Sequence, residues 1–384
     1  MITMKKIIAY LKEEPMLTVS VAAALIALFI TPPSRRLFTD IDWRTLGTLF
    51  MMLTVLEGFK KENIFRPVLK LAGSIKSMAG LSLFLVFSVF FSSMFVTNDV
   101  SLIIFVPLTI ILFKAGKKEK YILPVITMEN IAAVRGSLLT PFGSPQNLFI
   151  YGQSGVSAFR FICYMLPIWL ISGFLLIGFV LALYIKNIRQ KTEIKSFDFL
   201  GEQDDKRKKQ RIAYLTVFAL VLFTIVSRTR FWPVAVLIVL AAVFVIDKGI
   251  LLKTDYVLLL TFFCFFIFSS SIAANDLIST FLRSNVAGHE YVWSILLSQV
   301  ISNVPAAIVL YPFAENKGAL LYGLDSAGLC TLIGSLASVI NYRLYVREYP
   351  KNGKKFIVGF TLISLAFFAF VAVPGYFISL RPLV

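Results

Sequence analysis

Long apolar stretches without charged residues recur along this chain of 384 residues. Several of them extend over about 17 to 25 residues, which is the length that an α-helix needs to cross a hydrocarbon core roughly 30 Å thick. Charged residues make up only 15% of the sequence, whereas soluble domains carry about 25%. In hydrocarbon, only helices and closed barrels satisfy their own backbone. The stretches therefore predict an all-α polytopic protein embedded in a lipid bilayer.

The apolar segments and the basic loops together predict a membrane topology. Two segments, 79–115 and 288–314, each contain an apolar arm, a polar tip and a second arm, and we predict that both are re-entrant hairpins. The predicted crossings are 16–31, 43–58, 121–151, 156–185, 212–228, 232–247, 255–272, 319–342 and 357–380. With a cytoplasmic N-terminus and an external C-terminus, most of the 38 Lys and Arg residues face the cytoplasm of a cell with this protein in its inner (plasma) membrane. The net charge of +17 is thereby explained, and we expect no nucleic-acid partner.

Three blocks of the first half reappear in the same order in the second half. Between the broken segments the offset is 191 residues, between the hairpins it is 205, and between the blocks 42–64 and 255–277 it is 213. The matched residues are Thr140, Gly143, Ser144 and Tyr151 with Thr331, Gly334, Ser335 and Tyr342, and Ser93, Asn98 and Pro107 with Ser298, Asn303 and Pro312. Asn147 falls on Ser338 at the first offset. The chain is predicted to contain an internal repeat.

The repeat predicts how the chain is divided. Repeat one covers 1–185, with hairpin 79–115 and broken helix 121–151. A cytoplasmic linker, 186–211, and a connecting transmembrane helix, 212–228, lead to repeat two. Repeat two covers 229–384, with hairpin 288–314 and broken helix 319–342. Because the connecting helix adds one crossing, the two repeats are expected to have opposite orientations. Inverted repeats with interrupted helices are typical of secondary transporters, which bind substrate near the midplane of the bilayer.

The stretch "TPFGSPQN" (140–147) is the clearest interruption. Pro141 and Pro145 lack an amide hydrogen and disfavour helix interiors, and Gly143 is expected to adopt a φ that other residues avoid. A helix restarting near Ser144 would present a partially positive N-terminus that suits an anion. Close packing of small residues is the alternative explanation of this cluster and of its second copy.

The hairpin tips place further polar side chains at the expected depth of the breaks. We predict that "TND" (97–99) lies near the first break and "SN" (302–303) near the second. Helix capping by the asparagines is the structural alternative. The predicted substrate-binding residues are Thr97, Asn98, Thr140, Gly143, Ser144, Asn147, Ser302, Asn303, Thr331, Gly334, Ser335 and Ser338.

These residues resemble the ion transporter superfamily, through its "SN" or "TN" hairpin tips and its "TPxGxPQN" break. The resemblance is strongest to the branch of citrate-transporter-like and arsenite-permease-like (ArsB/NhaD-type) anion permeases. It implies a scaffold domain and a transport domain, often in a homodimer, with elevator-like alternating access. In related dicarboxylate carriers, Ser-Asn-Thr tips bind the substrate carboxylate and neighbouring carbonyls bind Na⁺. Here Asp99 and Val304 replace the third residue of the tip, which argues against a dicarboxylate.

Charged residues within predicted spans are candidates for ion coupling. These are Asp99, Glu129, Arg135 and Asp325. Arg135 could contact an oxyanion or pair with an acid such as Asp99, and Asp99 could carry H⁺ or Na⁺ or cap a helix. Asp325 could equally be solvated near the outer surface. Arg135 and Glu129 are six residues apart and do not share a helical face.

The combined hypothesis is a secondary transporter of a small inorganic oxyanion or carboxylate, coupled to H⁺ or Na⁺. The alternative is an Na⁺/H⁺ antiporter of the NhaD type in which Asp99 is the exchanging carboxylate. Enzymatic motifs such as the P-loop, H-E-x-x-H and G-x-S-x-G do not occur in the sequence, so we expect no enzyme. No cofactor is expected, and no metal beyond a possible Na⁺ that serves as the coupling ion.

Overall fold

The chain is all-helical in the residues that the structure describes. The computed structural model describes residues 14–31, 35–72, 74–187 and 205–383, which form α-helices joined by turns and three short 3₁₀ segments. The all-α prediction is confirmed. The predicted cytoplasmic N-terminus before residue 14 and most of the linker, 188–204, lie outside the described residues.

Within the described residues, most helices of the first half correspond to the predicted segments. Two short helices, α2 and α4, were not predicted. In chain order the helices of this half are α1 (Pro15–Ile30), α2 (Arg35–Asp40), α3 (Trp43–Lys61), α4 (Arg66–Ala72), α5 (Met78–Val96), α6 (Asn98–Ala115), α7 (Ile122–Ser137), α8 (Pro145–Ser154) and α9 (Ala158–Leu183). The predicted hairpin 79–115 is α5 and α6, and the predicted broken helix 121–151 is α7 and α8.

The described part of the second half follows the same order. Its helices are α10 (Asp205–Ser227), α11 (Trp232–Asp247), α12 (Tyr256–Ala273), α13 (Asp276–Val286), α14 (Glu290–Ile301), α15 (Asn303–Leu310), α16 (Lys317–Ala327), α17 (Leu336–Glu348) and α18 (Gly353–Ser379). The predicted hairpin 288–314 is α14 and α15, and the predicted broken helix 319–342 is α16 and α17.

Two helices extend beyond the ranges that their apolar parts predicted. The connecting helix, expected over 212–228, already begins at Asp205, so the last residues of the predicted linker are helical. Lys, Arg and Gln, which fill this stretch, are good helix formers and need no apolar surroundings. The second broken helix, expected to end at residue 342, extends to Glu348. Hydropathy locates the buried part of such a helix and misses its hydrated end.

Several helices are long and apolar enough to cross a membrane. Six in the described residues meet this condition by length and composition: Met78–Val96, Asn98–Ala115, Ala158–Leu183, Lys208–Ser227, Tyr256–Ala273 and Pro350–Ser379. Large apolar side chains on the outer helices are exposed, among them Phe174 of α9, Val245 of α11 and Phe370 of α18. Exposed apolar surface on long helices is what a lipid environment requires.

Helix starts repeat between the halves. Asp42 caps α3 by accepting a hydrogen bond from the Thr45 N–H, and Asp255 caps α12 by accepting one from the Leu258 N–H. The two aspartates are 213 residues apart, which is the offset found between their sequence blocks. Capping by Asp supplies an acceptor to an otherwise unpaired backbone N–H of the first turn. The repeated blocks thus fold in the same way locally.

Helix packing also repeats, with partners exchanged between the halves. The first hairpin arm packs on the first part of its own broken helix, α5 on α7 and α14 on α16. The second arm packs on the last part of the other broken helix, α6 on α17 and α15 on α8. In the same way α1 packs on α12 while α11 packs on α3. Exchanged contacts of this kind are expected when two equivalent halves are related by a two-fold axis.

The two broken helices form the centre of the molecule. Residues 125–140 of the first and 318–330 of the second are all buried. Both stretches contain polar and charged side chains as well as apolar ones, and these interior groups form the candidate site.

Candidate functional site

The first break lies between α7 and α8, at the predicted place. α7 ends at Ser137 and α8 begins at Pro145. Ser144 is the extended N-cap (φ −147°), and its Oγ accepts a hydrogen bond from the Asn147 N–H at 3.4 Å. Proline fits the first position of a helix because its missing N–H would be unpaired there. The chain therefore restarts a helix at Ser144, as the sequence predicts.

The glycine of the break is required for space rather than for an unusual φ. A Cβ on Gly143 would lie 2.1 Å from the backbone oxygen of Ser137, and one on Gly334 would lie 2.3 Å from that of Ala327. Neither glycine has a positive φ. The expectation of a special φ at Gly143 was wrong, because the turn folds back onto the helix end and leaves no room for a side chain.

The second break reproduces the first without its prolines. α16 ends at Ala327, and α17 begins after the extended residue Ser335 (φ −150°). The Gly143 N–H donates to the Thr140 oxygen at 3.3 Å, and the Gly334 N–H donates to the Thr331 oxygen at 3.3 Å. The same turn therefore forms in both copies.

Both hairpins turn on one strained residue. Thr97 separates α5 from α6 with φ 69° and ψ 158°, and Ser302 separates α14 from α15 with φ 69° and ψ 159°. This region of backbone conformation is populated almost only by glycine, and another residue there costs about 1–3 kcal/mol. The residues that follow, Asn98 and Asn303, are the first of their helices. Such strain at matching positions is typical of functional sites.

The two hairpins differ in the length of their arms. The arms of the second hairpin have 12 and 8 residues, which at about 1.5 Å per residue are too short to cross the hydrocarbon core. Those of the first hairpin, α5 and α6, have 19 and 18 residues and are each long enough to do so. Both tips are nevertheless buried, with Thr97 6% and Ser302 1% exposed.

Each tip contacts the break of its own half. Thr140 Oγ1 donates to the Met94 oxygen beside the first tip, and Thr331 Oγ1 donates to Gln299 Oε1 at 2.7 Å beside the second. Met94 and Gln299 are equivalent at the hairpin offset of 205. At the second tip the Asn303 N–H also donates to the Gly334 oxygen at 3.2 Å. The structure thus brings together the predicted tip and break residues in both halves.

Four helices begin at these tips and breaks. They are α6 and α15 after the tips and α8 and α17 after the breaks. The exchanged packing of α6 on α17 and of α15 on α8 joins the two halves at this level. Each helix N-terminus carries partial positive charge.

Arg135 lies one turn before the first break and links it to the second half. Its Nε donates to Ser172 Oγ at 2.9 Å, and its Nη1 donates to the backbone oxygen of Asp325 at 3.3 Å. Its Nη2 is buried without a hydrogen-bond partner. Arg135 is 1% exposed, so one side of its guanidinium is fixed and the other has an unused donor.

Asp325 completes this link from the second half. Gln146 Nε2 donates to Asp325 Oδ1 at 3.0 Å, while Asp325 Oδ2 and Gln146 Oε1 are buried without partners. Asp325 is 2% exposed. The sequence made solvation near the outer surface an equal expectation for Asp325. This expectation was wrong, since α16 places the residue against the first break.

Asn147 and Ser338, equivalent in the repeat, serve different purposes. The Asn147 amide nitrogen lies 3.3–3.4 Å from the carbonyl oxygens of Ser137, Leu138 and Thr140, which end the first half-helix. Ser338 Oγ accepts a hydrogen bond from Asn130 Nδ2 at 3.1 Å. Asn147 therefore closes its own break, and Ser338 joins the two halves.

The remaining predicted charges lie apart from Arg135. The Asp99 N–H donates to Asn98 Oδ1 at 3.0 Å, and the Asp99 Oδ1 atom is buried without a partner. Glu129 is fully buried on α7 and accepts a hydrogen bond from Thr109 of α6. Neither residue pairs with Arg135, whose described partners are Ser172 and the Asp325 backbone.

Several polar residues of this interior were not predicted. Gln146 lies inside the quoted break and could have been singled out. Asn130, Asn341 and Ser172 are buried polar residues with cross-helix hydrogen bonds, but they match no polar residue of the repeat. Among the described residues, no three His, Cys, Asp or Glu side chains are grouped to hold a metal ion. A hard cation would be held here by amide, hydroxyl and single carboxylate oxygens.

The fold is similar to that of a solved transporter. The crystal structure of the YdaH transporter of Alcanivorax borkumensis, described as having an unusual topology, aligns over 96% of this chain and 98% of its own. The TM-score is 0.56 and the sequence identity is 14%, so this similarity concerns the fold alone.

Two proteins of known sequence are similar over most of their length. One, described as an uncharacterized transporter of Methanocaldococcus jannaschii, is 29% identical over 347 residues, which are 90% of this chain and 91% of that protein. The inner membrane protein YbiR of Escherichia coli is 29% identical over 350 residues, covering 88% and 87%. Both relatives are matched across the two hairpins and the two breaks.

The family is shown by a match to most of the chain. The model of the family described as "Citrate transporter" (CitMHS) matches residues 2–327, which include both hairpins and the first broken helix. The resemblance inferred from the tips and the break is confirmed. This chain belongs to the citrate transporter family of membrane transporters.

Proposed function

We propose that this transporter carries a small anion, an inorganic oxyanion or a carboxylate, together with or against H⁺ or Na⁺. The observation that supports this most directly is the meeting of two strained hairpin tips with two helix breaks in a buried centre. Backbone without helical hydrogen bonds is tolerated at membrane depth only where protein or a solute satisfies it. The proposed substrate lies between the tips and the breaks.

Electrostatics favours an anion at this place. The N-termini of α6, α8, α15 and α17 each direct partial positive charge toward the tips and breaks, and helix N-termini are common anion sites. Arg135 adds a full positive charge and the unused donor Nη2. A guanidinium fork matches the geometry of carboxylates and oxyanions. We assign the anion to these donors.

A buried carboxylate near the same site favours coupling to a cation. Asp325 Oδ2 has no hydrogen-bond partner, and the charge that compensates this carboxylate is that of Arg135, whose Nη1 donates to the Asp325 backbone oxygen. An anion that binds Arg135 is therefore repelled by the carboxylate at low dielectric. A proton or Na⁺ bound with the substrate would remove that repulsion. Cotransport with a cation is therefore our proposed mode, by alternating access of the two halves around the shared site.

Polar contacts near the end of α8 are suited to closing the site toward one face of the membrane. Gln153 Nε2, at the end of α8, donates to Asp42 Oδ2 at 2.6 Å. The Arg228 guanidinium lies 3.9 Å from the centre of the Tyr151 ring, whose hydroxyl donates to the Val226 oxygen at 2.9 Å. In the predicted topology these residues are external. We propose that these contacts open when the site faces outward.

Sodium–proton exchange at Asp99 stays a prediction, as do the homodimer and the cytoplasmic N-terminus. Asp99 Oδ1 is buried without a partner, as an exchanging carboxylate would need. The anion carrier and the antiporter differ in what they require: only the carrier needs an organic or inorganic anion to move charge and protons.

The test begins with ligand identification and continues with transport. A panel of carboxylates and oxyanions is screened by the thermal stability of the purified protein, since a ligand of the folded state raises it by mass action. Hits are reconstituted in proteoliposomes and assayed by counterflow of the labelled anion. Asn98→Ala and Asn303→Ala should each weaken apparent affinity about tenfold or more, because each removes a hydrogen bond to a charged ligand.

Asn285→Ala, which alters an asparagine on the peripheral helix α13, is the matched control and should transport as the unaltered protein does. Wild-type counterflow in the double variant of Asn98 and Asn303 would refute the site. Na⁺-driven proton movement without any added anion would refute the anion carrier and favour the antiporter.

A further inference from the structure

A second polar cluster lies away from the tips, where α6, α7 and α17 meet. We define the three-helix junction by Thr109 of α6, Glu129 and Asn130 of α7, and Ser338 and Asn341 of α17. All five are buried, with exposed fractions of 0%. Direct hydrogen bonds join α6 to α7 and α7 to α17 here. Hydrogen bonds of this cluster therefore connect all three helices.

The two side-chain amides of the junction each have a hydrogen-bond partner for the nitrogen and none for the oxygen. Asn130 Nδ2 donates to Ser338 Oγ at 3.1 Å, and Asn341 Nδ2 donates to the Ile126 oxygen at 2.6 Å. Three oxygens remain buried without partners: Glu129 Oε2, Asn130 Oδ1 and Asn341 Oδ1. Each such atom costs free energy in an apolar interior. All three are acceptors, which a cation or a hydrogen-bond donor would satisfy.

The repeat shows that the fold does not require polar residues here. At the hairpin offset, Thr109 corresponds to Ala314, and at the broken-helix offset Glu129 and Asn130 correspond to Leu320 and Leu321. These three equivalents are buried apolar residues in the second half. The same packing of helices is thus built with alanine and leucine at the positions that Thr109, Glu129 and Asn130 occupy in the first half.

We propose that the three-helix junction binds a small monovalent cation such as Na⁺ through Glu129 Oε2, Asn130 Oδ1 and Asn341 Oδ1. Carboxylate and amide oxygens are the ligands that hard cations prefer. One carboxylate neutralises one unit of charge, whereas a divalent ion would leave a net charge in the interior, which is costly. A proton on Glu129 would satisfy at most two of the three oxygens. Binding at the junction is independent of the proposed function, and its use as the coupling site rests on that function.

The test measures Na⁺ binding to the purified full-length chain without any substrate. Thermal stability is recorded against NaCl at constant ionic strength, with choline chloride as the replacement salt. The unfolding temperature should rise with the logarithm of Na⁺ concentration once the site is half filled. Glu129→Gln should abolish this rise, and Asn341→Ala should shift the half-saturating Na⁺ concentration upward about tenfold or more.

Glu290→Gln is the matched control, because it makes the same chemical change at another buried carboxylate, which accepts hydrogen bonds from the Glu315 and Asn316 N–H groups, and it should retain the response to Na⁺. Equilibrium binding of radioactive Na⁺ provides a second readout for any variant of altered stability. The proposal is overturned if the unaltered protein does not respond to Na⁺, or if Glu129→Gln still binds it. It is equally overturned if Glu290→Gln alone loses the binding. Failure of anion transport in the same preparation would leave this result unaffected and would count only against the proposed function.

Discussion

Replacing Thr97 by glycine should stabilise the protein relative to replacing it by alanine. The residue has φ 69° and ψ 158°, a conformation that costs a residue with a Cβ about 1–3 kcal/mol. Glycine avoids this cost but loses about 0.5–1 kcal/mol more backbone entropy on folding than alanine does. The difference favours Thr97→Gly over Thr97→Ala by about 1 kcal/mol. Neither variant retains the threonine hydroxyl, so the comparison isolates the backbone.

The expected order of stability, with glycine above alanine, is the reverse of that in an ordinary helix. Ser101, the buried fourth residue of α6, provides the control. Ser101→Gly should be less stable than Ser101→Ala by about 1 kcal/mol. The assay is the unfolding temperature of the four purified variants in one detergent, with a difference on the order of 1–2 °C expected for each pair. The same sign as at Thr97 is expected for Ser302→Gly and Ser302→Ala. If glycine is less stable than alanine at both tips, the strained turn does not exist, and opposite signs at the two tips would contradict the equivalence of the hairpins.

Three further predictions concern packing, capping and surface charge. Gly136→Ala should destabilise the protein by about 1–3 kcal/mol, because its Cβ would lie 1.9 Å from a backbone oxygen of α5; Gly178→Ala, with nothing within 4 Å, should be neutral or stabilising in the same thermal assay. In a Gln153→Ala background, which already lacks the contact of Gln153 with Asp42, Asp42→Ala should still cost about 1–2 kcal/mol of unfolding free energy through the lost cap of α3, and retention of full stability would contradict the capping. The Lys114 ammonium, 2.7 Å from Glu348, holds the pKa of that carboxyl below its usual value, so this exposed pair should contribute at most about 1 kcal/mol in a double-mutant cycle. That contribution is present at neutral pH and is lost as the pH falls through the lowered pKa; a coupling that survives full protonation would contradict it.

The breaks and tips were predictable because their causes are local. Two prolines within six residues prevent a continuous helix between Ser137 and Pro145. The second break has no proline, and only its alignment with the first copy indicated it. The hairpins were evident from polar residues in apolar surroundings. Local chemistry and internal repetition were therefore sufficient for the framework of the fold.

The interior contacts were not predictable because they depend on residues far apart in the chain. Gln146 and Asp325 are 179 positions apart and meet only when the two broken helices pack together. The need for glycine at residue 143 arises from a backbone oxygen that folds back to it, and a sequence cannot distinguish that need from a need for positive φ. Asn341 aligns with the apolar Ile150 in the repeat, so symmetry gave no indication of its role.

The central claim is that two halves of opposite orientation bring their tips and breaks to one shared site. Labelling of single cysteines tests this claim most directly. The three native cysteines are first replaced, and single cysteines are introduced at the exposed positions Lys117, Asn187, Arg230 and Glu315. An impermeant maleimide applied to intact cells should label positions 230 and 315, while positions 117 and 187 should react only after the membrane is opened. Labelling of 117 and 187 from opposite faces would contradict the inverted arrangement and the shared site built on it.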